Sequence, residues 1–376
     1  MQFKDVIGQD AVKSRLISEF KSDRLSHAKM LLGPEGSGKL PLTLAFAQFL
    51  LCDSPSGEDS CGACPNCQKV QSLTHPDLHF VYPVVVSKAD KVTTSDDLRT
   101  EWNELIHKRP YFSLNTWLEY NDRLGKNPII GVDESRAIMK KLSLKSYSDK
   151  FKIMIIWMPE KMNTQAANKL LKILEEPPKK TLFFLVCDNS ENILPTILSR
   201  AQIVHVPALK SEEITNYLTQ TFQVETGVAE TMANLSQGNI VNAIDAVQGD
   251  SSKHAYFELF VKLMRSAYAA NPIELMDVSE EIAALDREKQ KNFILYGLHI
   301  FRESIIMNYL KDKLLNLRKE ESEFLQKFAR FINNKNITEL TDEFNNAYYH
   351  IERNANAKIL FSDLVIKLTK LVRKGV

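Results

Sequence analysis

The spacing of apolar residues changes along this chain, and the changes divide it. Through residue 206, short continuous apolar runs alternate with amphipathic stretches. The runs are His27–Leu32, Phe151–Met158, Thr181–Cys187 and Ile203–Val206, with a turn leading into a further strand over Thr74–Pro83. Such runs, bounded by turn formers, predict strands buried on both faces. Between them, a stretch ending at Phe20 and the segments Thr43–Leu51, Glu134–Leu144 and Met162–Glu176 predict helices, with a shorter one from Ile193 to Gln202. Asn163 or Thr164 begins the Met162–Glu176 helix and Pro177-Pro178 stops it. Strand and helix in alternation predict an α/β domain with a parallel sheet. From Pro207 the pattern turns helical. Ser211 serves as a cap with Glu212 and Glu213 in the first turn, and another helix opens at Ser236–Ala243. Beyond Pro272 there is no proline and the only glycines are Gly297 and Gly375, which suits long helices. One stripe runs through Phe293, Ile294, Gly297, Leu298, Phe301 and Ile305. A second, within Asn354–Lys374, runs through Phe361, Leu364, Val365, Leu368, Leu371 and Val372. Three domains are expected: 1–206, 207–250 and 251–376. Residues 87–128 are polar, contain aromatics and lack a clear period, and they are too long for an ordinary loop. They are expected to form a surface insertion, with some helix over Ser95–His107.

Composition narrows the class without naming it. With 376 residues the chain can form two or three cores, and 48 basic against 47 acidic side chains give a net charge of +1. Nucleic-acid binding therefore cannot be argued from global charge. Met1–Val6 carries no apolar signal segment and no uncharged run reaches 18 residues, so a soluble, cytoplasmic protein without membrane contact is expected.

Gly33-Pro34-Glu35-Gly36-Ser37-Gly38-Lys39-Leu40 fits the phosphate-loop pattern GxxxxGK[ST] except at its last position. It follows a strand and opens a helix, as that motif requires. Gly33, Gly36, Ser37, Gly38 and Lys39 are the candidate phosphate-binding residues, through converging backbone N–H groups and the lysine ammonium. Leu40 cannot supply the oxygen that a Ser or Thr gives to Mg²⁺, and Thr43 lies about one helical turn further on. The strand Phe151–Met158 should end in an Asp and a Glu if it served a magnesium site, and those positions fall on Trp157 and Met158. Glu160 lies past Pro159, too far along to replace them without distorting the turn. No magnesium site and no hydrolysis are expected, while retention of ATP or ADP stays open. At the end of Thr181–Cys187, Asn189 could reach a phosphate or could cap its loop.

Cys52, Cys61, Cys64 and Cys67 are spaced C-x₈-C-x₂-C-x₂-C, with Gly62, Pro65 and Asn66 as turn formers. Four thiolates close a tetrahedral shell around Zn²⁺, so a structural zinc is expected; the alternative is a set of free thiols. His75 and His79 are expected to be ordinary polar residues rather than ligands.

Val6-Ile7-Gly8-Gln9, the phosphate loop, the four-cysteine insertion after its helix, Asn168–Pro178 and the Ser199-Arg200 pair together resemble the AAA+ clamp-loader subunits of bacterial DNA polymerase III, over about the first 205 residues. The resemblance implies an AAA+ module with a small helical lid and a C-terminal collar domain that joins a ring. It implies partnership with gamma/tau and delta subunits, and through them with a sliding clamp and primer-template DNA. Leu40, Trp157 and Met158 depart from the hydrolysing gamma/tau pattern, as do Ile240, Val241 and Asn242, near where hydrolysing members carry an arginine. The chain is expected to be a non-hydrolysing member. Arg200 is then implied to be an arginine finger for a neighbour's ATP site, with Ser199 shaping the helix end; Ala201 stands where the family usually has cysteine. The alternative for Arg200 is an exposed arginine in a local salt bridge. A gamma-type ATPase with an unusual magnesium site, and an AAA+-like scaffold outside replication, remain the rival readings.

Overall fold

The computed structural model describes residues 1–143, 146–147, 150–247, 251–310, 319–353 and 355–374. Leu144, residues 248–250, Asn354 and residues 375–376, where the sequence places ends of helices or domains, lie outside the described residues. The chain forms two compact units, Met1–Val247 and Gln248–Val376.

The first unit is built on five parallel strands, β1 (Ala28–Leu32), β2 (Leu78–Val81), β3 (Lys152–Trp157), β4 (Thr181–Cys187) and β5 (Gln202–His205), in the order β2-β3-β4-β1-β5. All residues of β3 and β4 are buried, as a sheet covered on both faces demands. One face is covered by α1 (Asp10–Lys21), α2 (Lys39–Leu51), α3 (Pro65–Gln71), α4 (Arg99–Lys108) and α5 (Leu114–Tyr120). The other carries α6 (Val132–Ser143), α7 (Thr164–Glu175) and the short α8 (Pro195–Leu198). Asn163 caps α7, its Oδ1 accepting from Ala166 N at 2.8 Å. The register sets Leu32 beside Cys187 on one side and His205 on the other. The carboxyl ends of β1 and β4 are thereby neighbours.

The helix expected within residues 87–128 is present over Ser95–Leu98 and Arg99–Lys108, but part of the stretch is core rather than a surface insertion. Trp102 and Trp117 are fully buried in the main core, with Leu105, Ile106, Tyr111, Phe112 and Leu118 also buried. Trp102 stacks on Tyr82, with ring centroids 3.9 Å apart, and packs against Phe112, Trp117 and Trp157. The apolar residues of α4 do follow a helical spacing, at 102, 105 and 106. Helices of ten and seven residues are too short for that period to stand out from the polar residues around them.

The first unit ends in α9 (Ser211–Phe222), α10 (Thr226–Leu235) and α11 (Ile240–Val247), which bury an apolar cluster around Ile214, Leu218, Ala233, Ile240 and Ile244. Ser211 is the first residue of α9 rather than its cap. Lys210 holds the cap position, and its N–H donates to Glu213 Oε2 at 2.8 Å.

The second unit comprises α12 (Ser251–Ala269), α13 (Pro272–Ala284), α14 (Arg287–Leu310), α15 (Lys319–Phe328), α16 (Ile337–Glu352) and α17 (Ala357–Lys374). Its core unites the two predicted stripes, with Phe293, Ile294 and Phe301 joined by Phe361, Leu364, Val365 and Leu368. Gly297 is needed where α14 meets α16, since a Cβ there would lie 2.2 Å from the Phe344 ring. Among the described residues no helix is long and apolar enough to cross a membrane.

Candidate functional site

The phosphate loop leaves β1 at Gly33, whose N–H continues the sheet by donating to Cys187 O at 3.3 Å. A Cβ at Gly33 would lie 1.9 Å from Val206 O, so no larger residue fits without movement. Gly36 and Gly38 take the left-handed conformation at φ 74° and 82°, and Gly38 caps α2. This is the expected loop, but its groups are turned on one another. The Lys39 ammonium donates to Gly33 O at 2.7 Å, Pro34 O at 2.5 Å and Ser37 Oγ at 3.2 Å, and it pairs with Asp188 Oδ1 at 2.8 Å. Three N–H donors are thus already shared among four acceptors of the chain itself.

Asp188 is the residue that sequence reasoning passed over. It directly follows β4, whose end lies beside that of β1. The sequence brings this strand end to the loop, but through Asn189 rather than Asp188. Asn189, the residue considered for a phosphate, instead accepts Glu191 N at 2.8 Å and caps its own turn. Glu160 belongs to the same neighbourhood: its Oε1 accepts Asp188 N at 3.0 Å. The turn that brings it there runs through Met158 in the left-handed conformation, at φ 57°. Burial, and then repulsion from Asp188, push the Glu35 carboxyl above the usual carboxylate range, and burial pushes Glu160 up as well. Glu35 and Asp188 thus put two carboxyl groups beside the lysine, a poor field for a polyphosphate.

The missing magnesium groups are accounted for by packing. Leu40 is buried in the main core, and Thr43 spends its hydroxyl on Lys39 O at 2.7 Å. Trp157 packs against Trp102 and Phe112, and with Tyr111, Leu40 and Asp188 it lines a cavity of about 30 Å³ beside the loop. Helix α11 closes the opposite side. Ile240 N donates to Gly36 O at 3.2 Å, Asn239 Nδ2 donates to Glu35 Oε1 at 3.2 Å, and Asn239 Oδ1 lies 1.9 Å from where a Gly36 Cβ would stand. Ile240 and Val241 are buried.

The four cysteines come together. Cys52 ends α2, Cys64 caps α3, and all four Sγ atoms lie within 4.8 Å of one another. The separations of 3.5 Å for Cys52–Cys61 and 3.9 Å for Cys61–Cys67 straddle the edge of about 3.8 Å that metal–sulfur bonds of about 2.3 Å give a tetrahedron. Amides already point at sulfur: Cys61 N at Cys52 Sγ, Cys64 N at Cys61 Sγ and Cys67 N at Cys64 Sγ, at 3.3–3.4 Å. N–H groups of Ala63 and Cys64 draw the Cys61 thiol down to about 6, while burial pushes Cys52 and Cys67 up. Thiols this close cannot all ionise without a cation, and the set could hold a metal ion such as zinc. Asp59 fastens the module to the N-terminal segment by accepting Phe3 N and Lys4 N at 3.0 and 3.1 Å.

Neither histidine joins that cluster. His75 is buried between Asn66 Oδ1 and Asp77 N. Burial holds His79 at about 4, with the Lys141 and Lys152 ammonium groups acting in the same direction. A histidine kept neutral in the fold but protonated near pH 6.5 when unfolded contributes stability above pH 6.5 that is lost as pH falls toward 4. Urea midpoints are therefore expected to decline over that window by the equivalent of about 1–3 kcal/mol, and His79→Gln should flatten that part of the decline. An identical pH dependence in the variant would remove His79 as its cause.

Arg200 lies just beyond α8, with Ser199 exposed beside it. Its Nη2 pairs with Glu175 Oε1 at 2.5 Å, and its Nη1 donates to Thr196 O at 3.0 Å and Ser199 Oγ at 3.3 Å. The arginine is thus in the local salt bridge considered above.

Fold and loop together define a P-loop α/β protein whose phosphate loop is closed by its own side chains and which carries an inserted four-cysteine module. A family model described as DNA polymerase III, delta subunit, matches residues 8–210, more than half of the chain. The chain belongs to this clamp-loader family, on the delta-prime side of it. It is similar to DNA polymerase III subunit delta-prime of Bacillus subtilis, 30% identical over 64% of this chain and 60% of the relative, and to that of Escherichia coli, 27% identical over 63% and 59%. The match thus spans less than two thirds of those relatives. Subunit tau of B. subtilis is 22% identical over 98% of this chain and 61% of its own length. Among solved structures, a gamma subunit-related protein of Thermotoga maritima aligns with 97% of this chain and 99% of its own at 15% identity, with a TM-score of 0.40.

Proposed function

We propose that this chain is a non-hydrolysing delta-prime subunit of a cytoplasmic clamp loader. It completes a ring with gamma/tau and delta subunits, helps load a sliding clamp onto primed DNA, and lends Arg200 to the ATP site of a neighbouring subunit. The observation that carries the reading is the commitment of Lys39 to Asp188 and to its own loop. A loop whose lysine is so engaged, with no hydroxyl at Leu40 and aromatic packing at Trp157, is unsuited to hold magnesium and a γ-phosphate. In this reading residues 1–206 are the AAA+ module, 207–250 a lid and 251–376 a collar domain. Ile273, Met276, Ile359 and Ile366, all exposed on α13 and α17, give the collar an apolar surface for a partner. Zinc in the cysteine module has a structural role.

The test is ATP hydrolysis by the purified chain, alone and mixed with gamma/tau and delta subunits of the same organism. No turnover alone, with clamp- and DNA-stimulated turnover in the mixture, is expected. Robust turnover by the chain alone would overturn the reading in favour of a gamma-type ATPase.

A further inference from the structure

Glu175 closes α7 at the end of a helix that least favours an anion. Aligned peptide dipoles leave partial negative charge at a helix C-terminus. α7 nevertheless ends in Glu175, with Glu176 in the cap position and Pro177-Pro178 preventing continuation. Lys172 lies in the same last turn, and a second offsetting cation comes from Arg200, across the turn that follows α8. Both partners remain in water, Arg200 with 35% and Glu175 with 47% of the side chain exposed. A pair so exposed adds little to the stability of the fold, yet it determines where the guanidinium rests. Nη2 is taken by Glu175, and Nη1 by Thr196 O and Ser199 Oγ. These are the two nitrogens that a two-pronged contact with phosphate oxygens would use.

We propose that Glu175 is a positioning residue that holds Arg200 in reserve. Its carboxylate occupies Nη2, one prong of the guanidinium fork, until the terminal phosphate of a nucleotide on a neighbouring subunit takes its place, so that engagement exchanges one anion for another on that prong. A phosphate carries more charge and more acceptor oxygens than a carboxylate, which favours that exchange. This inference rests on the reading of Arg200 as a finger acting in trans.

The test is stimulated ATP turnover by the full assembly, measured against salt for the wild type, Glu175→Gln, Arg200→Ala and the double variant. Glu175→Gln keeps the size and hydrogen-bonding capacity of an exposed side chain and removes only its charge. It is expected to raise turnover by about two- to fivefold at low salt, the range that corresponds to a surface ion pair. The gain should shrink as salt screens the pair, and it should vanish in the Arg200→Ala background. Turnover of Glu175→Gln equal to or below wild type overturns the reserve role, as does a gain that persists without Arg200. In either case a deficit in Arg200→Ala alone leaves the finger standing. If Arg200→Ala turns over like the wild type, the finger and the reserve role both fall.

Discussion

Replacing Arg200 with alanine is expected to slow hydrolysis by about 10³-fold or more at the one ATP site it serves in the proposed assembly, while the chain folds as before. A guanidinium delivered across an interface meets charge that grows on the transferring phosphoryl group, and little else in that reaction is left for a protein to do. The chain itself loses only a surface pair with Glu175 and two hydrogen bonds to the end of α8. Exposed pairs contribute about 0–1 kcal/mol, so the melting temperature should move by a few degrees at most. Arg200→Lys keeps the charge without the planar fork and should recover only a small part of the rate. Single-turnover hydrolysis by the reconstituted assembly gives the readout, since a slow phase equal to one site's share separates a lost finger from a lost subunit. Unchanged kinetics in Arg200→Ala would refute the assignment.

Much of this site was legible because its signals are local. Glycines at 33, 36 and 38 before Lys39, between an apolar run and a helix, specify a phosphate loop from eight residues, and the loop is where the sequence puts it. The cysteine spacing likewise brings four sulfurs together without knowledge of the rest of the fold. That Asp188 and not its neighbour Asn189 meets Lys39 was not legible, because which of two adjacent residues turns inward depends on the path of the chain past the β4–β1 pair. Asn239 was hidden in the same way: it reads as the cap of a remote helix, and only the fold sets it on Gly36. The misread stretch was 87–128, where short helices conceal their period and two tryptophans were counted among polar neighbours. Trp102 helps explain the β3 end, since Trp157 completes an aromatic core with Trp102 and Phe112 at a position where a magnesium site would need a carboxylate.

Removing metal from the cysteine module is expected to weaken the first unit by several kcal/mol. Structural zinc contributes about 10–16 kcal/mol of apparent binding free energy in small zinc domains. Here part of that is replaced by apolar packing, because α2 and α3 also meet through the main core. Cys52 and Cys67 are fully buried at the ends of those two helices. Without a cation the cluster must keep most of its thiols protonated, and the amides aimed at Cys52, Cys61 and Cys64 lose their anionic acceptors. The damage should spread, since Asp59 of the same insertion fastens Phe3 and Lys4. Metal analysis after dialysis should therefore find about one zinc per chain. A strong chelator should lower the thermal midpoint, and Cys67→Ser should lower it by an amount that added zinc does not restore. Because each thiolate must lose a proton to bind, zinc retention should weaken steadily as the pH falls. A chain that holds no zinc after dialysis, or one whose midpoint ignores both chelator and Cys67→Ser, would leave the four sulfurs as free thiols and remove metal from the account of this fold.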